Sequence, residues 1–178
     1  ALVLTPTREL AAQVRESVYT YGKFTSTTSA AIFGGAKIFP QKSKLKKGLD
    51  ILVATPGRLL DHVKSKAAYL NSTNTVILDE ADQMLDLGFM PSIKLIMSNI
   101  SKTKQAVLLS ATMPKAVRSL ANEFLNCPEE VNVAPSAKPI ELIDQRVFIV
   151  KREVKLKFLQ DIFNNHNILF FIRLFFCS

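Results

Sequence analysis

The sequence predicts an α/β domain built on a doubly wound parallel sheet with helices on both faces. Three observations support this. Five short apolar runs rich in β-branched residues recur along the chain, stretches with helical spacing separate them, and four of the runs end in a polar cluster. Continuously apolar runs of strand length suit parallel strands, which are covered on both sides.

The first run, residues 1–4, lacks an initiator Met and the basic flank of a signal peptide, so it reads as the interior of a strand in a fragment truncated at its N-terminus. Thr5-Pro6-Thr7-Arg8-Glu9 follows it, then the helical spacing of Leu10, Val14 and Val18. The second run, 30–33, ends at Gly34-Gly35, a pair suited to close backbone approach or to positive φ. The third, 51–54, ends at Thr55-Pro56-Gly57-Arg58, and the fourth, 76–78, at Asp79-Glu80-Ala81-Asp82. Ile93, Ile96 and Ile100 mark another helix, and the fifth run, 106–109, ends at Ser110-Ala111-Thr112.

Residues 1–134 are therefore expected to form one domain. Residues 134–139, with two prolines and small residues, break the rhythm, so 135–145 is expected to be a linker. Residues 146–178 would begin a second, truncated domain, with a strand over 146–150 and a helix over 153–163. The segment 168–177 is apolar except for Arg173 and too short to span a bilayer. It reads as a buried strand without its sheet neighbours, and hence as an aggregation liability.

Apolar residues make up 48% of the chain and charged residues 21%, which excludes a disordered protein and predicts a packed core. Cys127, Cys177, His62 and His166 have no zinc-ligand spacing; the cysteines read as reduced thiols, and the expected compartment is the cytoplasm. The net charge is +8 and unevenly spread. Between Lys23 and Lys66 nine basic residues face only Asp50 and Asp61, so that stretch carries seven of the eight net charges. Such a block is a candidate footprint for a polyanion; its densest part, Lys42 to Lys47, reads equally as a solvated helix face.

In a parallel sheet the carboxyl ends of the strands lie along one edge, where ligands bind, so the four polar clusters are expected to converge there. Two of them share the pattern Thr-Pro-x-Arg, in which Thr can cap a helix and Pro suits its first turn. Free N–H groups at a helix start beside an Arg make a phosphate site, although Thr-Pro is also a common helix opening. Asp79 and Glu80 suit a hydrated metal ion and an attacking water; they suit equally an acidic first turn that complements the helix dipole.

In this order and at these separations the clusters resemble the motifs of DEAD-box RNA helicases. Pro6-Thr7-Arg8-Glu9-Leu10 is similar to motif Ia, Gly34-Gly35 to the GG doublet, Thr55-Pro56-Gly57-Arg58 to motif Ib, Asp79-Glu80-Ala81-Asp82 to motif II and Ser110-Ala111-Thr112 to motif III. Leu85-Asp86-Leu87-Gly88-Phe89 and Met113-Pro114 extend the likeness, which runs from Ala1 to about Asn164 and looks closest to the bacterial type acting on ribosomal RNA.

The resemblance implies a RecA-like first motor domain followed by the start of a second, and RNA-stimulated ATP hydrolysis coupled to duplex unwinding, with ATP and magnesium as cofactors. It implies that Asp79 holds magnesium through water and that Glu80 polarises the hydrolytic water. Asp82 would bond Ser110 and Thr112 and couple hydrolysis to strand separation. Thr7, Arg8, Gly35, Thr55, Gly57 and Arg58 would contact the RNA sugar-phosphate backbone, with little sequence preference. The family's Q motif and phosphate-binding loop precede motif Ia, and no Gly-x-x-x-x-Gly-Lys-[Ser/Thr] occurs among these residues. The arginine-bearing motifs of the second domain are also missing, and residues 170–178 do not resemble the family. Alternatives are a catalytically dead fragment that binds RNA backbone weakly, and a related DNA translocase.

Overall fold

A computed structural model describes residues 1–132 and 148–165. Strands β1 (Leu2–Leu4), β2 (Ser29–Ile32), β3 (Ile51–Ala54), β4 (Thr75–Leu78) and β5 (Gln105–Leu108) form one sheet in the order β2-β3-β1-β4-β5, with every pairing parallel. Leu4 is level with Ala54 and Leu78, Ile32 with Ala54, and Leu78 with Leu108. All five strands therefore end on one line. Each apolar run predicted from the sequence is a strand, displaced by one residue at most.

Helices α1 (Arg8–Tyr21), α2 (Ile38–Lys46), α3 (Pro56–Lys64), α4 (Ala81–Asp86), α5 (Met90–Met97) and α6 (Lys115–Phe124) connect or follow the strands. Strand side chains alternate between the two faces, so successive residues feed two cores. Leu2, Leu4, Leu52, Val76 and Leu78 pack with Leu59 and Leu60 of α3, Met84 of α4, Ile93 and Ile96 of α5, and Val117 and Leu120 of α6. Val3 and Val53 face the other way, against Ala11 and Val14 of α1. Both faces carry helices, as the doubly wound expectation requires. The cover on the α1 side is thinner, and edge strand β5 is only partly buried.

The two Thr-Pro pairs behave differently from one another. α3 starts as expected, with Pro56 in its first turn and Thr55 before it, but Thr55 caps through no side-chain bond. α1 starts at Arg8 and its cap is Thr7, whose Oγ1 accepts from the Leu10 N–H at 3.2 Å. Thr5 instead continues the ladder, donating its N–H to Ala54 O, and its hydroxyl donates to Thr7 O. The second Thr competes better because its carbonyl also starts the helix, accepting from the Ala11 N–H. The helix expected around Ile93 and Ile100 is shorter than its spacing implies. Gly88 takes a φ of +74°, separating α4 from α5, and Ile100 is buried just beyond α5.

The chain divides into two compact units, Ala1–Glu130 and Val131–Ser178. In the second, a single 3-10 turn, Arg152–Val154, leads into α7 (Lys155–Asn165), and Phe148 packs edge-on against Phe158 with ring centroids 5.2 Å apart. The helix expected over 153–163 is present. Of the strand expected over 146–150 only residues 148–150 are described, and these are irregular, with no neighbour among the described residues to offer a ladder. The expected linker 135–145 and the apolar tail 168–177 lie outside the described residues. No helix among the described residues is long and apolar enough to cross a membrane.

Candidate functional site at the carboxyl edge of the sheet

The level strand ends bring all four polar clusters and the glycine doublet to one edge. Strand order then sorts them. The loops after β2, β3 and β1 stand together on one side and those after β4 and β5 on the other.

On the first side an open pocket of about 380 Å³ is lined by Thr7, Arg8, Gly34, Thr55, Gly57 and Arg58, with Pro6, Glu9 and Phe89 completing it. Five of the six residues expected to meet a nucleic-acid backbone line it, and the sixth, Gly35, adjoins it through Arg8. Gly35 has a φ of +78°, and a Cβ there would overlap the Arg8 guanidinium at Nη1. Two separate physical reasons thus require glycine, the left-handed backbone and the close approach of Arg8. Gly57 differs, since a Cβ there would meet nothing within 4 Å and would project into open space. It keeps the start of α3 uncovered, where first-turn N–H groups have no intrahelical partner.

Arg8 and Arg58, paired by their motifs, are in unlike surroundings. The Arg8 side chain is more than half exposed, and its only ion pair among the described residues is a 3.7 Å contact with its neighbour Glu9. Arg58 is 16% exposed, and its Nη1 donates to Ala36 O at 3.0 Å. Arg8 is free to meet a phosphate, whereas Arg58 is already holding the loop that carries the glycine doublet.

On the second side Asp79 continues the ladder, its N–H donating to Leu4 O at 2.9 Å, and Ala81 N–H donates to Leu109 O at 3.0 Å. Between these fixed neighbours Glu80 takes φ 53° and ψ 54°, the left-handed region that a non-glycine residue enters at a cost of about 1 kcal/mol or more. The neighbouring strands impose the strain. The carboxylates of Asp79 and Glu80 are half-buried and make no hydrogen bond or ion pair among the described residues. An acidic first turn that merely stabilised α4 requires no such conformation, and Glu80 forms no side-chain cap.

Asp82 has many partners. Its Oδ2 accepts from the Thr112 hydroxyl at 2.7 Å and from Thr112 N–H at 3.0 Å, and its own N–H donates to Ser110 Oγ at 3.2 Å. Ser110 Oγ in turn donates to Thr112 O at 2.7 Å. The bonds inferred from the motif are present, with the one to Ser110 running through the Asp82 backbone. Burial pushes the Asp82 carboxyl up, but the bonds it accepts from Thr112 and Gln83, with the Ser110 hydroxyl nearby, outweigh it and hold the group below its ordinary value.

A depressed carboxylate stabilises the fold above its ordinary pKa, and that contribution is lost as pH falls through the lower folded value. Asp82→Asn is therefore expected to cost about 1 kcal/mol at neutral pH and to flatten the loss of stability on acidification below about pH 4. Urea midpoints across that range check this; parallel pH profiles for the two proteins would contradict it.

No group of three or more His, Cys, Asp or Glu able to cage a metal exists among the described residues. Two unpartnered carboxylates at a strand end still fit magnesium, which keeps several waters and is commonly held by one or two carboxylates together with substrate phosphates. Phe89 entered the sequence reading only as the end of the segment after motif II, and Gln41 and His62, whose bonds hold the loop before Gly34, not at all as site residues. Gln41 sits among lysines and His62 on an apolar helix face, and neither carries a sequence signal of its own.

Residues 1–120 match the family model described as DEAD/DEAH box helicase. The chain is 43% identical over 155 residues to the DEAD-box ATP-dependent RNA helicase CshA of Streptococcus pneumoniae, covering 87% of this chain and 30% of that protein. It is 39% identical over 150 residues to the DEAD-box ATP-dependent RNA helicase RhpA of Helicobacter pylori, covering 84% of this chain and 30% of the relative. Among solved structures, a DEAD box protein from Methanococcus jannaschii superposes with a TM-score of 0.68 at 40% identity, covering 71% of this chain and 34% of that one. The sheet is thus the RecA-like one expected, and the chain spans about a third of the length of these relatives. The chain belongs to the DEAD/DEAH box helicase family.

Proposed function

We propose that this chain supplies the hydrolytic edge and the RNA-backbone pocket of an ATP-dependent RNA helicase working in the cytoplasm. The observation that carries the reading is that one sheet edge holds two unpartnered carboxylates, Asp79 and strained Glu80, beside a pocket lined by Thr7, Arg8 and the open start of α3. Glu80 positions and polarises the attacking water, and Asp79 holds magnesium through a water molecule. Magnesium, when bound with the nucleotide, neutralises charge on the phosphates. Asp82 ties the β4 edge to Thr112 after β5, so that a change at the nucleotide reaches the segment before α6. Thr7, Arg8, Gly35, Thr55, Gly57 and Arg58 form the RNA side, in which Arg8 meets phosphate and Arg58 and Gly35 shape the surface. Residues 1–134 act as the first motor domain, 135–145 as the linker and 146–178 as the start of the second.

One observation favours a narrower role for the polypeptide by itself, namely binding RNA without hydrolysis: its 178 residues contain no phosphate-binding loop sequence. Both readings require RNA binding through phosphates. A salt titration of the chain with short RNAs is expected to give weak, sequence-insensitive affinity that falls linearly in log–log form, by about 0.7 per phosphate neutralised. Arg58→Ala should weaken all sequences alike, by about fivefold or more. Affinity that survives high salt, or that discriminates strongly among sequences, would overturn the backbone pocket.

A further inference from the structure

His62 lies on α3 one turn beyond Arg58, fully buried, in contact with no substrate surface. Its Nε2 is 3.2 Å from Gln41 Oε1, and Gln41 Nε2 donates to Phe33 O at 3.0 Å. The proton positions follow from this geometry. The Phe33 carbonyl can only accept, so the Gln41 amide must turn its NH₂ toward it and its oxygen toward His62. That oxygen can only accept in turn, so Nε2 carries the imidazole proton and Nδ1 keeps a lone pair. Nδ1 is buried and has no hydrogen-bond partner among the described residues. Burial, with Arg58 and Lys42 nearby and Asp61 opposing them more weakly, holds the imidazole below its ordinary pKa, and it stays neutral.

The relay ends on the residue before Gly34, and the loop's far end is held from the same helix, where Arg58 Nη1 donates to Ala36 O. Arg58 and His62 are four residues apart and share one face of α3. The glycine doublet is therefore held at both ends, at Ala36 directly by Arg58 of α3 and at Phe33 by Gln41 of α2 with His62 of α3 behind it. An apolar pair of the same volume would fill the space behind the loop without a buried polar cost, so packing alone does not call for an imidazole and an amide here.

We propose that Gln41 and His62 are positioning residues for RNA: through Phe33 O they fix the Gly34-Gly35 loop against Arg8 and lock it to α3, so that the glycine loop and the start of α3 meet the backbone as one rigid surface. The inference rests on the RNA-backbone reading above. Neither residue touches RNA. Both act through the loop.

Variants of the chain test this. His62→Leu and Gln41→Leu remove the relay, while His62→Gln keeps an amide N–H near the Nε2 position. Binding of a short oligouridylate is measured at low salt and at a temperature where circular dichroism finds each variant folded, alongside the backbone amide resonances of Gly34 and Gly35. His62→Leu and Gln41→Leu are expected to weaken binding about five- to tenfold, as loss of one ordering bond implies. They should shift or broaden the two glycine resonances while those of β1 and β4 stay in place. The double variant should lose no more than either single one, because the relay is a series. His62→Gln should retain affinity within about twofold. Lower thermal stability in His62→Leu with unchanged affinity and unchanged glycine resonances would reduce the pair to a structural role and overturn the proposal. Arg8→Ala separates the two levels: binding that depends on Arg8 but not on the relay overturns positioning alone. An unmodified chain that binds no RNA overturns the backbone reading and the positioning claim together.

Discussion

In a chimaera in which this chain replaces the matching segment of the Streptococcus pneumoniae relative, Glu80→Gln is expected to lower ATP turnover by about 10²–10⁴-fold while leaving nucleotide affinity nearly unchanged. Glutamine preserves size and can still hydrogen-bond a water, but it cannot take a proton from it. Two features of Glu80 support this proposed role. Its carboxylate has no hydrogen-bond or ion-pair partner among the described residues, and its backbone is held left-handed by the fixed N–H groups of Asp79 and Ala81. Such strain persists only where surrounding structure enforces it. Turnover unchanged by the substitution would remove Glu80 from the chemistry.

The second large effect is an absence. The purified 178-residue chain is expected neither to bind ATP with micromolar affinity nor to release phosphate, with RNA or without it. Attraction between such a motor and its nucleotide comes mainly from a glycine-rich loop whose N–H groups and lysine surround the phosphates, and none of the six glycines here lies in that pattern. Asp79 and Glu80 present negative charge to negative charge, bridged at best by an ion that prefers to keep its waters. Phosphoryl transfer depends on positioning and charge stabilisation, which two carboxylates alone do not supply. Calorimetry with ATP and magnesium, run beside a phosphate-release assay, decides this: micromolar affinity or RNA-stimulated turnover would refute it.

How far the sequence could be read depended on how local each determinant is. Strands were legible because a parallel strand buried on both faces must be continuously apolar, and residues 51–54 meet that demand without ambiguity. The convergence of the polar clusters followed from parallel pairing alone. Helix starts were less legible, because Thr5 and Thr7 offer similar caps and tertiary geometry chose between them. The expected strand at 146–150 depended on a neighbour, which no local pattern provides.

Within the site, Arg8 and Arg58 looked equivalent as motif residues, and their difference comes from tertiary placement: Arg58 is mostly buried and bonded to the Ala36 carbonyl, whereas Arg8 stays exposed. The left-handed Glu80 could not have been foreseen either, since it arises from the ends of β1 and β5 holding its two neighbours. Gln41 and His62 were invisible for the same reason: their partnership spans 21 residues and exists only once α2 and α3 are placed.

On the proposed reading one sheet edge joins RNA-backbone binding to ATP hydrolysis. The most direct test of that union is phosphate release by the chimaera, measured with RNA and with DNA of matching sequence. Release is expected to be stimulated by RNA and little affected by DNA, with the stimulation lost in Asp82→Ala, which breaks the link from α4 to Thr112. Equal stimulation by DNA would point to a translocase instead, and release indifferent to either nucleic acid would contradict the coupling of the two halves of the edge.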